Sequence, residues 1–306
     1  MRIQQTNQKR PLDLLAVGAG GHIAAACSVF GVRGDVDVWQ IGSGENRFTY
    51  LASNLGVVSL AFTAEGRHIM VGVIGAGVRI AELGGSLVPE LETQLPQPSL
   101  ALSQDGTQLL LTSSFGPNGG VELWSITDWE FTRLWAGTSD AACWPRAPAF
   151  SPDGMFVAMG QTSSMIWTAN QIHIRDAENG KVLLRIPGNP AEPVLQLAFS
   201  ADGSKLLSRI SGRIIQVFDT TAGALVGELV HPGRPYVTGM AVHPNGTVAC
   251  SRTNGTVCLW NIERPELVRT LDWKLGKLVS VAFSPDGSIG AAGTEDGQVV
   301  VWDVDE

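Results

Sequence analysis

The chain has 306 residues, a formal net charge of −8 at pH 7, 44% hydrophobic residues and 36 glycines. No Lys/Arg cluster offsets the acidic balance, which argues against a phosphate-tracking surface and so against nucleic acid as a partner. The four cysteines, Cys27, Cys143, Cys250 and Cys258, lack metal-ligand spacing and are too sparse for a disulfide scaffold; with no run of 18 apolar residues, a cytoplasmic protein with reduced thiols and no membrane partner is expected.

Residues about 2–8 precede the first periodic segment. Unit 1 follows, with apolar runs on either side of Gly18-Ala19-Gly20-Gly21 and a later landmark at Trp39-Gln40. Lys9-Arg10 followed by Leu12 to Cys27 has the look of a lipoprotein export signal, but Leu12–Ser28 aligns without a gap on Leu278–Thr294. Pro11, Asp13 and His22 also interrupt the apolar run, so a strand pair is predicted there. Unit 2 turns at Thr63-Ala64-Glu65-Gly66, carries a hairpin within Gly72–Gly77 and ends at Ala81-Glu82; its Val78–Glu82 is the least typical third strand. Units 3 and 4 turn at Ser103-Gln104-Asp105-Gly106 and Ser151-Pro152-Asp153-Gly154, with landmarks Trp124-Ser125 and Arg175-Asp176. Units 5, 6 and 7 turn at Ser200-Ala201-Asp202-Gly203, His243-Pro244-Asn245-Gly246 and Ser284-Pro285-Asp286-Gly287, with landmarks Phe218-Asp219, Trp260-Asn261 and Trp302-Asp303.

Successive landmarks lie 42, 43, 51, 43, 42 and 42 residues apart. A period of roughly 40–45 residues is the mark of a four-stranded propeller blade. Alternating or continuous apolar residues such as Val279, Val281 and Phe283 read as buried strands. Pro, Asp/Asn and Gly supply the turn chemistry between them. The last unit, Val279 to Asp303 with Ser284-Pro285-Asp286-Gly287 and Asp296-Gly297 inside it, resembles a WD-repeat blade, and the resemblance covers essentially the whole chain. It implies one all-β domain over 1–306, a seven-bladed propeller of four-stranded antiparallel blades. The last unit stops after three strands, so residues about 2–8 are predicted to close it as its outer strand and remove an open edge. The Gly-His dipeptide usual before a WD blade is absent, with Lys274 at the His position before unit 7, so blade stability is expected to rest on apolar packing.

Chemistry-bearing motifs are scarce. Gly18-Ala19-Gly20 has Ile23 at the third glycine position and leads into a strand, not a helix that could hold phosphate. His22, His68, His173, His231 and His243 are spread over the units, and the simplest reading places them on turn surfaces. Asn254-Gly255, read as a two-residue hairpin turn, predicts Cys258 opposite Ser251 and Cys250 on the other face. The Asn-Gly-Thr triplets at 245–247 and 254–256 are accounted for by their turns. Neither a nucleophile elbow nor a metal-binding helix motif is present. No cofactor, metal or catalytic activity is therefore expected.

Loops joining the fourth strand of one blade to the next, and the second strand to the third, share one propeller face. On that predicted face stand Phe115, Trp144, Arg146, Trp167, Arg234, Tyr236 and Trp273. Trp, Tyr and Arg are enriched at interface hot spots, which points to a non-catalytic scaffold for a protein or peptide partner. The competing readings are a small-ligand or enzymatic propeller using the central channel and a permanent structural subunit of a larger complex.

Overall fold

The computed structural model describes residues 2–5, 10–26, 34–41, 46–53, 55–83, 90–114, 119–138, 143–163, 171–188 and 192–305. They form 27 strands in seven antiparallel sheets. Blade 1 comprises β2 (Leu14–Gly18), β3 (His22–Ala26), β4 (Gly34–Gln40) and β5 (Asn46–Ser53). Blade 2 comprises β6 (Val57–Phe62), β7 (His68–Val73) and β8 (Gly77–Glu82); an isolated bridge joins Val78 to Leu91, where a fourth strand would end. Blade 3 comprises β9 (Ser99–Leu102), β10 (Gln108–Ser113), β11 (Gly120–Thr127) and β12 (Glu130–Thr138).

Blade 4 comprises β13 (Cys143–Phe150), β14 (Phe156–Ser163), β15 (Gln171–Asp176) and β16 (Val182–Pro187). Blade 5 comprises β17 (Gln196–Phe199), β18 (Lys205–Arg209), β19 (Ile214–Asp219) and β20 (Leu225–Val230). Blade 6 comprises β21 (Val237–Val242), β22 (Thr247–Arg252), β23 (Thr256–Asn261) and β24 (Glu266–Asp272). Blade 7 comprises β25 (Leu278–Phe283), β26 (Ile289–Thr294) and β27 (Gln298–Asp303), and its outer strand is β1 (Arg2–Gln5), paired from Arg2 opposite Val301 to Gln5 opposite Gln298. The N-terminal strand thus fills the edge of the last blade, as expected from the sequence.

First strands of successive blades touch in order from β2 through β6, β9, β13, β17, β21 and β25, and β25 touches β2 again, so they ring a central axis. Two polar links reinforce that inner ring: Ser59 Oγ donates to the Pro98 carbonyl at 2.8 Å, and Ser280 Oγ donates to the Leu12 carbonyl. The core lies between blades. Ile215, Leu229, Met240 and Trp260, for example, pack the blade 5–6 interface, and Leu12, Ile23, Trp39 and Val299 the 7–1 interface. Gly72 shows how close the blades come: a Cβ there would meet the Pro98 carbonyl oxygen at 2.1 Å, so glycine is obligatory.

The turn between the first two strands of a blade repeats one hydrogen-bonded design. In blade 3, Ser103 Oγ donates to Asp105 Oδ1 at 2.6 Å, that carboxylate accepts the Thr107 N–H at 3.0 Å, and Gly106, at φ 74°, donates its N–H to the Ser103 carbonyl. Blades 4, 5 and 7 repeat it with Ser151/Asp153, Ser200/Asp202 and Ser284/Asp286. Blade 6 replaces serine with His243, whose Nδ1 accepts the Asn245 N–H and whose Nε2 donates to the Gly287 carbonyl at 2.8 Å, tying blade 6 to blade 7.

The expected register of the cysteines is wrong by one residue. Cys250 lies directly opposite Cys258, and Ser251 opposite Val257. The turn is not a two-residue Asn-Gly turn: Gly255 is its fourth residue, donating its N–H to the Arg252 carbonyl, and only Gly255 takes positive φ, at 82°. Both thiols are free and buried; desolvation, with Cys258 alongside, raises the pKa of Cys250.

Candidate functional site

Alternation of strand direction sorts the connections onto two faces. The loop face carries the blade-to-blade connections and the hairpins between second and third strands; the turn face carries the two remaining turns of each blade. On the loop face, the connection from blade 5 to blade 6 is held along its length. His231 donates its N–H to the Arg213 carbonyl, Arg252 Nη2 donates to the Pro232 carbonyl, and Arg213 Nη1 donates to the Gly233 carbonyl. Tyr236 donates its N–H to Thr253 Oγ1 and accepts the Thr253 N–H, both at 3.0 Å. With the backbone fixed, the side chains of Arg234 and Tyr236 stand in solvent, Tyr236 at 59% exposure.

The other predicted site residues are placed differently. Trp144 lies in β13 opposite Thr162, so its backbone belongs to the inner strand of blade 4. Arg146 is half-buried two residues on, with its Nε buried and without a hydrogen-bond partner, and desolvation lowers its pKa. Trp273 does not project from the face: it is half-buried with its ring 5.0 Å from that of Trp302, in the cluster that includes Leu271 and Phe283, and packing accounts for it. Trp129 and Trp135 also have packing partners. The ring of the first lies 4.1 Å from that of His68, tilted by 54°, and the second donates Nε1–H to the Ala177 carbonyl at 2.8 Å. Phe115 and Trp167 lie outside the described residues.

Three of the five histidines are buried rather than on turn surfaces, because each fills a packing site: His173 and His243 are mostly enclosed, and His231 is 1% exposed against the edge of Trp260. Burial first, then the nearby Arg252, lowers the pKa of His231 to about 4.

The loop-face end of the central channel is polar, a cavity of about 480 Å³ lined by Asp13, Ser59, Gln196, Arg209, Thr238 and Ser280 among others. Gln196 crosses to blade 6, accepting the Met240 N–H at 3.0 Å and donating to the Met240 carbonyl, while Arg209 Nε donates to Gln196 Oε1 at 3.3 Å. Desolvation lowers the Arg209 pKa to about 10. The arrangement offers a guanidinium and hydroxyl groups for recognition; no set of three His, Cys, Asp or Glu that could hold a metal occurs among the described residues. On the turn face the axis opens into a second cavity, about 400 Å³, between the turns of blades 3 to 7.

Closed ring, seven sheets and a strand shared between the two ends of the chain define a seven-bladed β-propeller. The β-propeller domain of Cps50 (Swd1) from Myceliophteria thermophila superposes with a TM-score of 0.78 over 99% of this chain and 100% of that one at 18% identity, a likeness of fold. The model of the WD domain, G-beta repeat, matches residues 223–261 and 265–303, each running from the outer strand of one blade through the third strand of the next. An uncharacterized WD repeat-containing protein of Synechocystis sp., sll1491, is 32% identical over 45% of this chain and 38% of its own length. The WD repeat-containing protein VIP3 of Arabidopsis thaliana is 25% identical over 60% of this chain and 58% of its own. The alignments thus span less than two thirds of either relative. The fold and the two matched repeats are shared with the WD-repeat β-propellers, whose members generally act as interaction scaffolds.

Proposed function

We propose that this propeller is a non-catalytic scaffold that docks a protein or peptide on its loop face, with the connection between blades 5 and 6 as the contact. The observation that carries this reading is Tyr236: a large aromatic ring mostly in solvent on a backbone already held by paired hydrogen bonds to Thr253. Such a side chain loses little freedom on binding, and Arg234 beside it adds a charged donor. Affinity capture from the native source, comparing wild type with a Tyr236→Ala/Arg234→Ala variant, tests it. A protein held by wild type and lost from the variant supports the contact, and undiminished capture by the variant removes it.

A second reading, a permanent subunit of a larger assembly, is favoured by the rim. Leu225, Val226 and Val230 on β20 and Val268 on β24 are 50%, 53%, 55% and 61% exposed on outer strands with free edges. Concentration-dependent self-association of the isolated chain, relieved by Val226→Lys and Val268→Lys, is the result this reading requires.

A further inference from the structure

We infer that the turn face is a second docking surface, fitted to a basic linear segment that inserts a bulky apolar side chain into the axial mouth. The apolar element is the cavity of about 400 Å³ where the first strands end, walled by Leu102, Phe150, Phe199, Val242 and Phe283 with Pro152, Pro244 and Pro285 at its lip. Leu102, Phe150, Val242 and Phe283 are only half-buried there. Converging apolar groups that the ring geometry leaves uncovered gain burial when a partner side chain enters.

The surrounding charge selects the partner. Around the mouth, the seven first turns carry Glu65, Asp105, Asp153, Asp202 and Asp286, all exposed, against Arg67 and Lys205. Lys205 is already paired with Glu263. Serine hydroxyls and backbone N–H groups hold the carboxylates of Asp105, Asp153 and Asp286 below the usual range, and that of Asp202 at about 2, so all four stay ionised. A phosphate-rich or anionic membrane surface is repelled by this ring, whereas Lys or Arg on either side of an inserted aromatic or Leu meets it. The surface is separate from the one bearing Arg234 and Tyr236: first turns and blade connections lie at opposite ends of the inner strands.

The test is selection of random 12-residue displayed peptides on the purified chain, followed by titration of the enriched sequences. Wild type should enrich peptides with Lys/Arg flanking Phe, Trp or Leu, and raising salt from about 50 to about 300 mM should weaken them roughly tenfold. Ala201→Arg places a cation on the mouth at a turn position where blades 4, 6 and 7 have proline, and should lower affinity about tenfold or more. Gln104→Arg does the same from blade 3, in case the first variant folds poorly. Enriched peptides without cationic bias, equal binding to both arginine variants, or no enrichment over bare support overturns the assignment.

Discussion

Blades 6 and 7 carry their landmark tryptophans, Trp260 and Trp302, in the same register, yet surround them differently. In blade 6 the second strand places Val248 opposite Trp260, and His231 from the preceding connection meets the ring at 4.9 Å. In blade 7 the second strand places Gly290 opposite Trp302, and Trp273 takes the position corresponding to His231. A Cβ on Gly290 would lie 2.2 Å from the Trp302 indole. The larger partner on one side is matched by an empty Cα on the other. Blade 6 is left with a polar pair that makes no hydrogen bond, since both His231 ring nitrogens and Trp260 Nε1 are buried without partners. Volume, not a conserved polar network, is what these two blades hold in common.

The sharpest way to break the comparison is to empty the site in blade 7. Trp302→Ala removes a ring that is 7% exposed and should lower the unfolding free energy by about 3–5 kcal/mol in urea titration. Gly290→Val copies the blade 6 residue and should lower it by about 1–3 kcal/mol through overpacking against the indole. Combined with Trp273→His, the loss should be smaller than the sum of the two single effects, because the pair shares one packing site. Strict additivity would show that the two substitutions act independently and that blade 7 is not compensated in the way described.

In blade 6 the contrast is one of pH. His231 has its pKa lowered from 6.5 to about 4 in the folded chain. The folded state therefore favours the neutral ring. Its full stability contribution is present above the unfolded pKa of 6.5 and is lost progressively as pH falls from there through about 4. Between pH 7 and pH 4.5 the wild type should lose about 2 kcal/mol relative to His231→Phe. Parallel stability–pH curves for the two proteins would rule this out. Trp273 gives blade 7 no corresponding titration.

Where a residue is fixed by its neighbours in sequence, the chain was readable. In blades 3, 4, 5 and 7 Ser-x-Asp-Gly specifies its own turn through hydrogen bonds two and three residues away, and a glycine-ended turn at the same place in all seven units counts the blades. Where placement depends on residues from another strand, it was not. Nothing local distinguishes an Asn254-Gly255 pair at the centre of a two-residue turn from one with Gly255 in fourth position, where its Cβ would lie 2.3 Å from the Gly276 carbonyl oxygen. That close approach forms only in the assembled sheet, and with Gly255 in fourth position Cys258 falls opposite Cys250. Trp273 does lie in a blade connection, but it read as projecting from it because Trp302, which it packs against, is 29 positions further on. Tyr236 and Arg234 were legible as candidates from residue type and from their place on a blade connection, and both side chains are exposed.

The smallest effect separates the turn face from the packed interior. Asp202 accepts hydrogen bonds from Ser200 Oγ at 2.6 Å, Ser204 Oγ at 2.7 Å and the Ser204 N–H at 3.1 Å, and these bring its pKa from 3.8 to about 2. The ionised form is favoured by folding, so the contribution is complete above pH 3.8 and fades as pH falls through about 2. The side chain is exposed, and water competes for each of these bonds, so Asp202→Ala should lower stability at neutral pH by only about 1 kcal/mol. Asp202→Asn keeps an acceptor oxygen for the Ser204 N–H and should lose less. If the alanine variant instead lost as much as Trp302→Ala, the turns would be structural keystones of the ring, and their carboxylates would no longer be free to differ from blade to blade as Asn245 already does in blade 6.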